Sequence, residues 1–131
     1  MKKKYKISLA LVLCSFLSIP IIADAYSKSF SFDFAYSLKG STDFNLSNKD
    51  TDVSLNADTY YASGSVSPNK AKYSVTLNKF LKSYSVSATA NGNSTTKNFG
   101  KVASGTYNVD LNKTTQTTYG ERIIGSGKIK Q

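Results

Sequence analysis

The sequence predicts an all-β fold, an antiparallel sandwich of the immunoglobulin-like or jelly-roll-like kind, and three observations carry that prediction. Apolar and polar residues alternate with period two along most of the chain. Turn-forming residues punctuate the alternation roughly every dozen residues. No stretch beyond residue 25 shows the spacing of an amphipathic helix. About seven or eight short strands are expected, with a small barrel as the alternative closure.

The first 25 residues stand outside that pattern. Met1-Lys2-Lys3-Lys4 is basic, Ile7 to Ala23 is an apolar run, and Ala23-Asp24-Ala25 presents small residues at the right spacing for a signal peptidase. Pro20 breaks the helix ahead of the cut. Cleavage is expected between Ala25 and Tyr26, leaving residues 26–131 as one secreted domain. Cys14 is the chain's one cysteine and lies inside the apolar run. Leu13 before it is not the small residue that bacterial lipid attachment wants, so no lipid anchor is expected. The mature chain then has no cysteine, and its stability must come from packing and strand pairing. The Lys-heavy, Arg-poor, Asn-rich usage fits a low-GC bacterium.

The first strand is expected from Ser29 to Leu38, with Phe30, Phe32, Phe34, Tyr36 and Leu38 on one face and small polar residues on the other. Lys39-Gly40-Ser41-Thr42 turns the chain, and Phe44 and Leu46 follow in phase. Val53, Leu55 and Ala57 alternate against Asp52, Ser54, Asn56 and Asp58, read as the solvated face of an edge strand. A short strand around Tyr60–Val66 ends at Ser67-Pro68-Asn69. Tyr73, Val75 and Leu77 mark the next strand, and Tyr84, Val86, Ala88 and Ala90 the one after. Asn91-Gly92-Asn93 reads as a turn, since both residue types tolerate positive φ. Tyr107, Val109 and Leu111 give a late strand. The last runs from about Glu121 to Lys130, where Gly125 and Gly127 imply a bulge or a close backbone approach. Within the segment Val102 to Val109, Gly105-Thr106-Tyr107 resembles the start of a late strand in immunoglobulin-like sandwiches. The resemblance implies that the Tyr107 hydroxyl caps the preceding loop, and it speaks to architecture alone.

Composition excludes several chemistries. With no His, no Trp and no cysteine after the leader, the mature chain lacks the parts of a Ser-His-Asp triad, a Cys-His dyad, a His- or Cys-ligated zinc site and a disulfide scaffold. Asp50, Asp52, Ser54, Asn56 and Asp58 share one phase, but alternate residues of a strand stand about 6–7 Å apart, too far to converge on one ion. Ser67-Pro68-Asn69-Lys70 and Ser94-Thr95-Thr96-Lys97 match Ser-x-x-Lys, a spacing that works when a helix brings Lys back beside Ser; here both matches fall between strands. No cofactor, metal or catalytic residue is expected, and the chain is read as non-enzymatic.

Charge and surface composition point to binding. Residues 26–58 hold three Lys against five Asp, whereas residues 59–131 hold nine Lys and Arg122 against Asp110 and Glu121. That basic part favours anionic partners, a cell-wall or matrix polymer or an anionic membrane surface. Nucleic acid is not expected, because Arg is nearly absent and the chain is exported. Adjacent apolar pairs must turn one member outward, which nominates Tyr60-Tyr61 and Phe80-Leu81. Phe99 and Tyr119 are expected in loops. The candidate surface is Lys79, Phe80 and Lys82 together with Tyr60, Tyr61, Lys70 and Lys72, an aromatic-plus-Lys set suited to anionic polymer or a lipid interface. A secreted antagonist acting on competitor membranes and a self-assembling matrix or coat protein are the two alternative readings.

Overall fold

The structure is a computed structural model and describes residues 25–116 and 119–131. The apolar run, Cys14 and Ala23 lie outside the described residues. Of the predicted cleavage positions, Ala25 is exposed and Tyr26 is half-buried at the start of the folded part.

The described residues form nine strands: β1 (Ser27–Phe34), β2 (Ser37–Lys39), β3 (Phe44–Leu46), β4 (Asp50–Tyr60), β5 (Lys72–Lys79), β6 (Lys82–Thr89), β7 (Asn91–Lys101), β8 (Gly105–Lys113) and β9 (Arg122–Lys130). Two antiparallel sheets face each other, ordered β1-β9-β4-β7 and β2-β8-β5-β6, with β3 pairing β8 beyond β2. The sheets keep free edges, so the molecule is a sandwich and not a closed barrel.

The core lies between the sheets and follows the alternation. Phe32, Phe34, Val53, Leu55, Ala57, Ile123 and Ile129 come from the first sheet; Tyr73, Val75, Leu77, Ala88, Tyr107, Val109 and Leu111 come from the second. Phe32 and Tyr73 join the two layers, with ring centroids 5.8 Å apart. The Phe30 ring and the neighbouring β4 backbone both press on β9, and glycines give them room. Phe30 pairs with Gly127 and Phe32 with Gly125. A Cβ on Gly127 would run into the Phe30 ring, and one on Gly125 into the Asn56 carbonyl of β4. The two glycines are therefore the close approach expected of them. As the Tyr107 resemblance implied, its hydroxyl donates to the Ala103 carbonyl at 2.6 Å, fixing the loop before β8.

Several local expectations are corrected. The aromatic stripe is not one strand, because the chain leaves the first sheet at Ala35-Tyr36 and joins the second as β2, which leaves Tyr36 exposed. Carrying Asp50 to Asp58, β4 is a central strand between β9 and β7, and not an edge. Between Tyr60 and Val66 there is a turn closed by an isolated bridge, in place of a strand. Asn91-Gly92-Asn93 does lie where the chain reverses, since β6 runs away from the β5–β6 hairpin and β7 runs back until Ala103 and Ser104 meet Tyr84 and Lys79. It opens β7, and Gly92 takes the positive φ (83°) needed where the chain passes from one sheet to the other. Phe99 lies in β7 and packs against the core.

Candidate functional site

The passage from β6 to β7 creates a concave surface. Thr59 fixes this corner from below. Its buried hydroxyl donates to the Ala90 carbonyl at 2.8 Å and accepts the Ala71 N–H at 3.0 Å. Asp58 supports it from the side, pairing with the Lys70 ammonium at 2.6 Å and accepting the Thr59 N–H at 2.8 Å. Burial alone would raise the Asp58 carboxyl. The hydrogen bonds from Lys70 and Thr59 and the Lys70 charge outweigh it and hold the group below its ordinary 3.8.

Beyond the corner the two strands diverge. In the first sheet β7 pairs only with β4, and in the second β6 pairs only with β5, so both are edges on the same side of the sandwich. The Ala90 N–H donates to the Ala71 carbonyl, which sets the phase of the β5–β6 ladder. Residues 88, 86, 84 and 82 share that phase and bond to β5. Ser83, Ser85, Ser87 and Thr89 therefore turn their main-chain N–H and C=O groups to the free side. Across from them stands β7. Lys97 is in register with Val53 and Thr95 with Leu55, so both share the inward phase of two core residues. Yet neither belongs to the core cluster: Lys97 is exposed and Thr95 half-buried.

The result is a cleft of about 420 Å³ lined by Lys72, Ser87, Ala88, Thr89, Asn91, Asn93, Ser94, Thr95 and Lys97. Its two charged groups are both cationic, and the remaining lining is hydroxyl and amide apart from Ala88. The volume lies in the range of small-ligand sites, about 300–1,000 Å³.

The predicted surface residues divide among three places. Lys72 alone lines the cleft. Lys79, Phe80 and Lys82 make the β5–β6 hairpin at the opposite end of β5, about 23 Å away along an extended strand. Tyr60, Tyr61 and Lys70 are half-buried at the cleft's own end of the sandwich, with Lys70 committed to Asp58. They are not one surface. Lys97, Asn93 and Thr95 were missed because Ser94–Lys97 reads as a turn. The available signal was a strand-length segment, Asn91 to Asn98, with polar residues on both phases.

Neither Ser-x-x-Lys match forms a dyad. Ser94 points to the outer face, where Asn56 donates to its hydroxyl at 2.8 Å, while Lys97 lies on the inward phase of β7. Ser67 is buried and donates to the Glu121 carboxylate at 3.2 Å, while Lys70 serves Asp58. Glu121 is itself a buried acid that the sequence did not mark. Nearby, Lys113 donates to the Glu121 main-chain carbonyl at 3.0 Å; burial holds its ammonium below the ordinary 10.5, and the Glu121 charge offsets only part of that. Among the described residues, no three His, Cys, Asp or Glu side chains gather to hold a metal ion.

No family model and no curated protein matches the chain. Among solved structures it aligns with a family two carbohydrate esterase from Cellvibrio japonicus at 11% identity and a TM-score of 0.36, over 81% of this chain and 34% of that one. It aligns with infectious bursal disease virus, Gt strain, at 10% identity and 0.37, over 82% of this chain and 32% of that one. The extra small virus of the giant freshwater prawn Macrobrachium rosenbergii aligns at 16% identity and 0.25, over 81% and 79%. The chain spans about a third of the length of the first two.

Proposed function

We propose that the chain is a secreted, non-enzymatic β-sandwich that binds anionic polymers at or outside the cell envelope, and that the β6–β7 cleft holds them. One observation carries this reading: Lys72 and Lys97 line a cleft whose remaining surface is almost entirely hydroxyl and amide, with no carboxylate among the lining residues. Ammonium groups attract the carboxylates, phosphates or sulfates of an acidic polymer. Hydroxyls and amides exchange hydrogen bonds with a polyol, and the free main-chain groups of Ser87 and Thr89 add more. The cleft lies between two free edges and opens outward from the β6–β7 corner, which gives an extended polymer access from its open side. It contains no aromatic platform, so charge dominates the attraction and salt should weaken it.

The test uses residues 26–131, which contain all nine strands, mixed with isolated cell-wall polymer across a salt ladder. Retention should fall steeply with salt. Lys72→Gln combined with Lys97→Gln should lose most of it at an unchanged melting temperature. Equal retention by the double variant removes the cleft from the reading, and no wild-type retention at any salt removes the reading itself.

A further inference from the structure

The β5–β6 hairpin carries a second, independent surface. Its turn consists of two residues, Phe80 and Leu81, between the paired Lys79 and Lys82. Phe80 is 89% and Leu81 86% exposed. Leu81 sits at φ 62°, the left-handed region that turns ordinarily fill with Gly or Asn. A branched apolar side chain there is locally unfavourable both in its backbone and in its contact with water. Neither ring nor isobutyl group belongs to the core cluster. Glycine at position 81 would take the same backbone without the strain.

The surroundings are cationic. Lys79 reaches the Ser104 carbonyl at 3.2 Å, which places the β7–β8 loop beside the hairpin. Lys101 ends β7 just before that loop and is in register with Asp50, which Lys49 precedes. This end of the sandwich thus carries exposed Lys49, Lys82 and Lys101, with Asp50 paired to Lys101 in the ladder and Asp43 and Asp110 held by Asn108 and Asn78.

We infer that the Phe80-Leu81 tip inserts into an anionic lipid bilayer, with the surrounding lysines at the headgroups. An apolar tip alone would fit any apolar recess; the flanking Lys82 and the lysines on the same end of the sandwich favour a surface that is anionic outside and apolar within. Moving each side chain from water into hydrocarbon strengthens partition by about tenfold or more. The hairpin is stiff and already formed, so little ordering opposes insertion. This surface lies at the far end of β5 from the cleft and does not depend on it.

The test is flotation of residues 26–131 with vesicles of phosphatidylglycerol and phosphatidylcholine in equal parts, and with phosphatidylcholine alone. Binding should require the anionic lipid. Leu81→Gly should reduce it at least tenfold while raising the melting temperature, because glycine takes the left-handed backbone freely. The chain has no Trp, so Phe80→Trp is a single reporter. Its emission should shift to the blue on adding anionic vesicles and be quenched by lipids brominated along the acyl chain. Flotation unchanged in Leu81→Gly, an unshifted Trp emission, or no wild-type flotation would each overturn the inference. Self-association that Leu81→Gly abolishes, without vesicle binding, would assign the tip to a second copy and likewise overturn it.

Discussion

Asp58 illustrates how one side chain acts on the cleft without lining it. Its carboxylate joins Lys70, twelve positions along the chain, to the corner that Thr59 ties to Ala90. Because its folded pKa is below the ordinary 3.8, the folded state binds the proton less readily than the unfolded one. The stabilisation is therefore complete above that ordinary value and is lost as pH falls through the lower folded value. Thermal melts across acid pH should show a decline below about pH 4 that Asp58→Asn reduces, the variant being less stable than wild type at neutral pH. Identical pH profiles for the two proteins would mean that the pair does not support the corner. Alternation placed Asp58 on the outer face of its strand, and that was correct. Its partner was illegible, since Lys70 reaches it only through the turn and bridge that replace the expected strand at Tyr60–Val66.

Single strands were legible wherever one phase is apolar, as in β4, β5 and β8, because burial of that phase is what holds them in place. The failures came where the tertiary setting overrides the local pattern. At Ala35-Tyr36 the aromatic period continues across a change of sheet, and nothing in the alternation marks the crossing. In β7 the pattern fails because the inward phase at Thr95 and Lys97 lines the cleft instead of the core, so it need not be apolar. The β5–β6 hairpin was legible as an apolar pair between lysines with one member turned outward; the structure exposes both members, and the sequence treated the two lysines alike. The structure separates them. Lys79 bonds the Ser104 carbonyl and lies 5.7 Å from the centroid of the Tyr107 ring, whereas Lys82 is exposed. Lys79→Ser should lower stability by about 1 kcal/mol, a fall of about 5 °C in melting temperature. Lys82→Ser should leave the melt unchanged. Equal melts for the two variants would show that the Lys79 contacts carry no stability.

At the scale of the molecule, alternation states which face of each strand is buried but not how the sheets close, which is why sandwich and barrel both stood as expectations. Two sheets with free edges share one core, and no disulfide ties them together. Neither sheet can keep its apolar face dry alone, so the domain should unfold in a single cooperative transition, with far- and near-ultraviolet circular dichroism coinciding. Phe32 is where that dependence is concentrated. It is 5% exposed and meets Phe30, Phe34 and, across the layers, Tyr73, with centroids 5.8–6.0 Å apart. Replacing the ring by Asp forfeits about 3–5 kcal/mol of packing and adds several more for a carboxylate with no cation beside it. That total is comparable to the whole stability of a domain this size, about 5–15 kcal/mol. Phe32→Asp should therefore show no cooperative melt. Ser31→Asp, one residue away on the outer face, should melt within a few degrees of wild type. A soluble Phe32→Asp with a wild-type melt would place the core on the other phase of β1, and with it reverse which face of the first sheet meets the second.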